Sequence, residues 1–82
     1  MTKEELLAFL ECNRSKLKYH TIYLNQKALE QFAIGYFLDS KSNKFLVYEV
    51  TERQSLIEIA CFKNEEEAIV EVYEMVKYRC RI

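Results

Sequence analysis

The chain has 82 residues, of which 50% are hydrophobic and 13% aromatic, with one glycine and no proline. That is enough apolar surface for one packed core, too little length for a second, and the wrong composition for a linker or a disordered tail. Its 12 Lys and Arg against 13 Asp and Glu leave a net charge of −1, which excludes a global field drawing in nucleic acid or a membrane surface and confines electrostatic function to local patches.

The opening MTKEELLAFLECNR places acids ahead of its apolar stretch and Glu11 at its end, the wrong order for a secretory signal. No apolar run approaches the roughly 18 to 20 residues of a membrane span. The expectation is a single cytoplasmic domain over residues 1–82. Within that opening, Thr2-Lys-Glu-Glu5 has the form of a capping box, in which the Thr2 hydroxyl accepts a backbone N–H while Glu5 reaches back. A helix follows from about Thr2 to a point between Cys12 and Leu17, with Leu6, Phe9 and Leu10 at helical spacing and Leu7 and Leu17 widening the stripe.

The stretch HTIYLN, residues 20–25, is β-branched and aromatic but short, and predicts a brief first strand. FAIGYFL, 32–38, predicts a second, closed by Asp39-Ser-Lys-Ser-Asn-Lys44, whose side chains favour turns. FLVYEV, 45–50, returns as the other arm of a hairpin; TERQS turns again; LIEIACF, 56–62, is the last strand. The predicted fold is α+β: an N-terminal helix, an antiparallel meander of three or four strands, and a C-terminal helix packed on one sheet face. Strict alternation sets Ile57, Ile59 and Cys61 against Leu56, Glu58 and Ala60. Both faces of the sheet are apolar, so the second face is either a partner surface or is covered by the loop from Gln26 to Gln31.

Cys12, Cys61 and Cys80 are an odd number with no CxxC or Cys/His spacing, so neither a metal nor a cofactor is expected. Cys61, inside an apolar run, reads as a small buried hydrophobe. His20 and Asp39 are each the sole residue of their type, and one glycine cannot build a phosphate loop. No enzyme activity is expected.

The last helix begins at Asn64, an N-cap with Glu67 three residues on. Glu65, Glu66 and Glu67 face the positive end of the helix dipole. Ala68, Ile69, Val72, Met75 and Val76 form the core stripe. On the other side Glu67, Glu71 and Glu74 line up as a ridge ending at Tyr78, beyond the reach of capping, with Lys77 the only cation in reach of Glu74. Val70 projects near this polar side. The ridge is either a solvated acidic face or a contact surface for a basic partner.

Helix, strands, helix is also the order of double-stranded RNA-binding domains, and residues 14–20, RSKLKYH, are basic and aromatic. Those domains meet phosphates with lysines at the start of their second helix; here NEEE stands there and repels them. No nucleic-acid partner is expected on that ground. The closing KYRCR suits the negative pole of the last helix.

Taken together, IYLNQKALEQFAIGYFLD, NKFLVYEVTERQ and CFKNEEEAIVEVYEMV resemble small immunity proteins of bacterial polymorphic toxin and contact-dependent inhibition systems, of the immunity protein 59 type. The resemblance covers roughly residues 19 to 78 and rests on Tyr23, Leu24 and Asn25; Phe45, Val47 and Tyr48; Glu52 and Arg53; and Phe62 with Glu65 to Ala68. Departures are Gln26 and Gln54 where the pattern has glycines and Phe45 where it has tryptophan. The resemblance implies a cytosolic protein that binds one secreted toxin domain, often a nuclease, and blocks its active or substrate-binding surface; a monomer or weak homodimer is expected. Two candidate surfaces follow for that partner: Glu67, Val70, Glu71, Glu74 and Tyr78 on the last helix, and Tyr48, Glu49 and Glu58 on and beside the sheet. The alternative is a small cytosolic adaptor or RNA-binding domain using residues 14–20.

Overall fold

The computed structural model describes residues 1–82. Helix α1 (Lys3–Cys12) passes through a 3-10 turn (Arg14–Lys16) to strand β1 (Thr21–Tyr23); β2 (Ala33–Asp39), β3 (Lys44–Val50) and β4 (Leu56–Phe62) follow, and helix α2 (Glu65–Cys80) closes the chain. The four strands lie in the order β1-β2-β3-β4, giving the expected α+β architecture with α2 on one face. No helix is long and apolar enough to cross a membrane.

Local chemistry sets the boundaries. Thr2 caps α1 with a complete capping box: its hydroxyl accepts from the Glu5 N–H at 3.1 Å and the Glu5 carboxylate accepts from the Thr2 N–H at 2.8 Å. Asn64 caps α2 by accepting from the Glu67 N–H at 2.9 Å; the return bond runs from the Asn64 side-chain amide to the Glu67 carboxylate at 2.8 Å, not from its backbone. The β2–β3 turn is wound on Asp39, whose carboxylate accepts from the Lys41 N–H and the Ser42 hydroxyl.

The meander is not wholly antiparallel: β1 pairs with β2 in parallel, Ile22 opposite Ile34 and Tyr23 opposite Gly35. A parallel neighbour cannot be reached through a tight turn, so the chain must recross the sheet. Residues 24–32 make the connection, and the stretch from Gln26 to Ala28 lies over the face away from the helices. Tyr48 fixes the crossing, its hydroxyl donating to the Gln26 carbonyl at 2.7 Å and accepting from the Ala28 N–H at 3.1 Å.

Two cores result. The larger lies between helices and sheet, where Leu6 meets Ile34, Tyr36, Val47 and the α2 stripe of Ala68, Ile69, Val72, Met75 and Val76, extended by Cys80. The smaller, Ala33, Tyr48 and Val50, lies under the crossing. Loop cover thus accounts for the apolar second face at these residues.

Cys61 is exposed, and the buried cysteine is Cys80. The cause is an irregularity in β4: Val47 pairs with Ala60 but Tyr48 with Glu58, leaving Ile59 as an extra residue. Such a bulge breaks the strict alternation, so Leu56, Glu58 and Cys61 share the face of Val50, Tyr48 and Leu46. Beta4 is also an edge strand, which leaves Ile57 and Ile59 exposed.

Candidate functional site

The acidic ridge is divided by its neighbours. Beta4 ends at Phe62 just before α2 begins, and the start of the chain brings Met1 to the same place. Together with Asn64, Glu66, Glu67, Val70 and Glu71 they line an open groove of about 460 Å³. Its apolar wall is Met1, Phe62 and Val70, which accounts for a valine on the polar side of the helix. Glu67 is engaged by the Asn64 amide. Neither Glu66 nor Glu71 is ion-paired; the two pairs in the molecule are Glu11 with Arg14 and Glu49 with Arg79.

Glu74 is exposed and lies outside the groove. Lys77 does not reach back to it; its ammonium sits 5.1 Å from the centre of the Tyr73 ring instead. Tyr78, 78% exposed, stands among Lys77, Arg79 and Arg81 with the Arg79 guanidinium 5.6 Å from its ring centre. Glu67, Val70 and Glu71 therefore form one site, and Tyr78 belongs to a different, cationic one.

The second predicted surface does not assemble. Tyr48 is fully buried and its hydroxyl is used twice by the crossing, so it offers a partner nothing. Its cross-strand neighbour Glu58 is exposed on the same sheet face. Glu49 points to the helix side, where Arg79 grips it through Nε at 3.0 Å and Nη2 at 2.7 Å; this bond raises the Arg79 pKa above its ordinary value. Alternation along β3 separates Glu49 from the other two.

His20 donates from Nδ1 to the Phe32 carbonyl at 3.1 Å, since a carbonyl can only accept. Burial pushes the Cys80 thiol pKa up, away from the thiolate a nucleophile needs. No group of three or more His, Cys, Asp or Glu stands close enough to hold a metal ion. What the groove offers chemically is unpaired carboxylates beside an apolar wall, a setting for a cationic group with an aliphatic or aromatic body. Glu66 and Asn64 looked like capping residues alone, and nothing in the sequence connects Met1 with Phe62; only their packing beside α2 does. No protein-family model, curated protein or solved structure matches the chain.

Proposed function

We propose that the chain is a cytoplasmic immunity protein that binds a cognate secreted bacterial toxin domain, a nuclease in the simplest case, and neutralises it by covering its active or substrate-binding surface. The observation that carries this reading is the groove at the start of α2, where Glu66 and Glu71 are unpaired beside exposed Val70 and Met1 and half-buried Phe62. A nuclease cleft is cationic because it holds phosphates, and an acidic groove with apolar contacts complements it. The carboxylates accelerate encounter, and the apolar wall supplies the contacts that slow dissociation. The resemblance across residues 19 to 78 supports the same reading.

The test is co-expression with a candidate toxin domain, taken from a neighbouring gene where one encodes a secreted protein, with growth and association as readouts. Glu71→Lys with Val70→Ser alters the groove without touching the Asn64 cap. The expected result is lost protection and a slower, less salt-sensitive association in a variant that still folds. Unchanged protection and kinetics exclude the groove as the interface.

A further inference from the structure

Six of the chain's 12 Lys and Arg follow or end its two helices. Alpha1 and α2 run side by side, with Met1 beside the first turn of α2 and the Leu17 carbonyl 3.9 Å from the Cys80 thiol at the far end. Both helix N-termini, with Glu4, Glu5, Glu65, Glu66 and Glu67, therefore lie at one pole. Both C-terminal ends lie at the other: Arg14, Lys16 and Lys18 follow α1, Lys77, Arg79 and Arg81 end α2, and Lys18 is close enough to Cys80 for its charge to act on that thiol. A net charge of −1 conceals an uneven distribution, with carboxylates outnumbering Lys3 and Lys63 at the first pole and cations prevailing at the second. Each basic run taken singly suits a helix C-terminus; placed together they exceed what two helix dipoles need.

Aromatic rings are set into the basic end. Tyr19, 64% exposed, packs against Phe32 at 4.6 Å and His20 at 4.8 Å between ring centres. Phe32 holds this position with φ of 63°, a left-handed conformation uncommon for a bulky residue. The His20 bond to its carbonyl and its own N–H bond to the Val50 carbonyl at 3.1 Å keep it there. Arg79 lines the same cavity as Tyr19 and Phe32 and also reaches the Tyr78 ring. The strip thus runs continuously from Tyr19 to Tyr78. The acids close to it are Glu49, taken up by Arg79, Glu11, 3.8 Å from Arg14, and exposed Glu74, one helical turn before Tyr78.

We propose that this end of the molecule is a binding surface for single-stranded nucleic acid, with Tyr19 and Tyr78 as stacking platforms and Lys16, Lys18, Lys77 and Arg81 as phosphate contacts. Exposed ring faces alternating with cations match the alternation of base and phosphate along an unpaired strand. An acidic protein surface would use the cations and leave the rings idle. A duplex keeps its bases stacked inside, and the carboxylates at the start of α2, which oppose duplex binding in the manner of double-stranded RNA-binding domains, stand at the opposite pole from this surface.

Fluorescence anisotropy with a labelled oligouridylate of about 12 nucleotides tests this. The expected result is binding at low salt that weakens with a log–log slope near about −3, since each phosphate contact on a single strand contributes about −0.7. Lys18→Gln with Arg81→Gln should reduce the slope by roughly 1.4. Tyr19→Ala and Tyr78→Ala, both on exposed side chains, should each weaken binding about five-fold or more and leave the slope unchanged. Glu71→Lys, at the other pole, leaves affinity the same or slightly higher. The proposal is overturned by no binding at low salt, by equal affinity for the duplex of the same sequence, or by a polyglutamate peptide competing as well as the oligonucleotide while the tyrosine variants bind like the parent. None of these outcomes bears on the acidic groove, whose test uses other residues and another partner.

Discussion

A Cβ placed on Gly35 would lie 2.2 Å from the backbone oxygen of Tyr23. The single glycine of the chain thus serves close approach, letting β1 lie against β2, and not a turn; no glycine here has a positive φ. Because the obstructing atom is backbone, it cannot swing aside as a flexible side chain would. Gly35→Ala should therefore destabilise by about 3 kcal/mol, the upper part of the range for overpacking, and free β1 first. Urea unfolding gives the magnitude, and amide exchange at residues 21–23 shows whether β1 is the part released.

Tyr48 and the crossing give a second prediction. Its hydroxyl joins the Gln26 carbonyl and the Ala28 N–H, and burial is the main cause of its raised pKa. Tyr48→Phe keeps the ring in the small core but leaves two backbone groups without that partner, at a cost of about 1–3 kcal/mol. Faster amide exchange concentrated in residues 24–32 is the signature. A uniform increase over the whole chain would mean that Tyr48 supports the sheet more than the crossing.

Tyr36 makes stability fall at high pH. It is fully buried and donates to the Glu65 carboxylate at 2.6 Å; burial first, and then that bond, holds its pKa well above the ordinary tyrosine value. In the unfolded chain it ionises near about pH 10, while the folded chain retains the proton. Above that pH the unfolded state binds fewer protons, so stability present below about pH 10 declines as pH rises toward the folded value. Urea midpoints measured across this window should drop for the parent and drop less for Tyr36→Phe. Tyr48 adds to the parent's decline, so the variant's curve should retain a slope.

Much of this fold was legible because its signals are local. The stripe Ala68, Ile69, Val72, Met75 and Val76 is buried as a 3.6-residue period requires, and Thr2 and Asn64 cap where their side chains predict. What was hidden depends on pairing across the sheet. One extra residue at Ile59 turned Cys61 outward, and sequence alternation carries no sign of a bulge. The parallel β1 was equally silent, because nothing in residues 24–32 distinguishes a recrossing from a turn. At the candidate site, helical spacing correctly joined Glu67, Val70 and Glu71, but it also joined Tyr78, which packing assigns to Arg79 and the cationic pole.

Gln54 tests whether the left-handed turns store strain. The chain adopts positive φ at Lys18, Asn25, Phe32, Asn43, Gln54 and Arg81, with no glycine to relieve any of them. Asparagine tolerates this geometry, whereas glutamine meets the full clash of Cβ with the backbone, about 1–2 kcal/mol. Gln54 lies in the β3–β4 turn at φ of 62°, its N–H bonded to the Thr51 carbonyl at 2.9 Å, and its side chain is exposed. Glycine keeps that bond and removes the clash, while its greater freedom in the unfolded chain takes back part of the gain. Gln54→Gly should stabilise by about 0.5–1 kcal/mol net of that entropy, seen as a higher urea midpoint at unchanged slope. Asn43→Gly, at φ of 57° in the β2–β3 turn, serves as the control and should shift the midpoint little. If both variants behave alike, side-chain type does not set the cost of these turns.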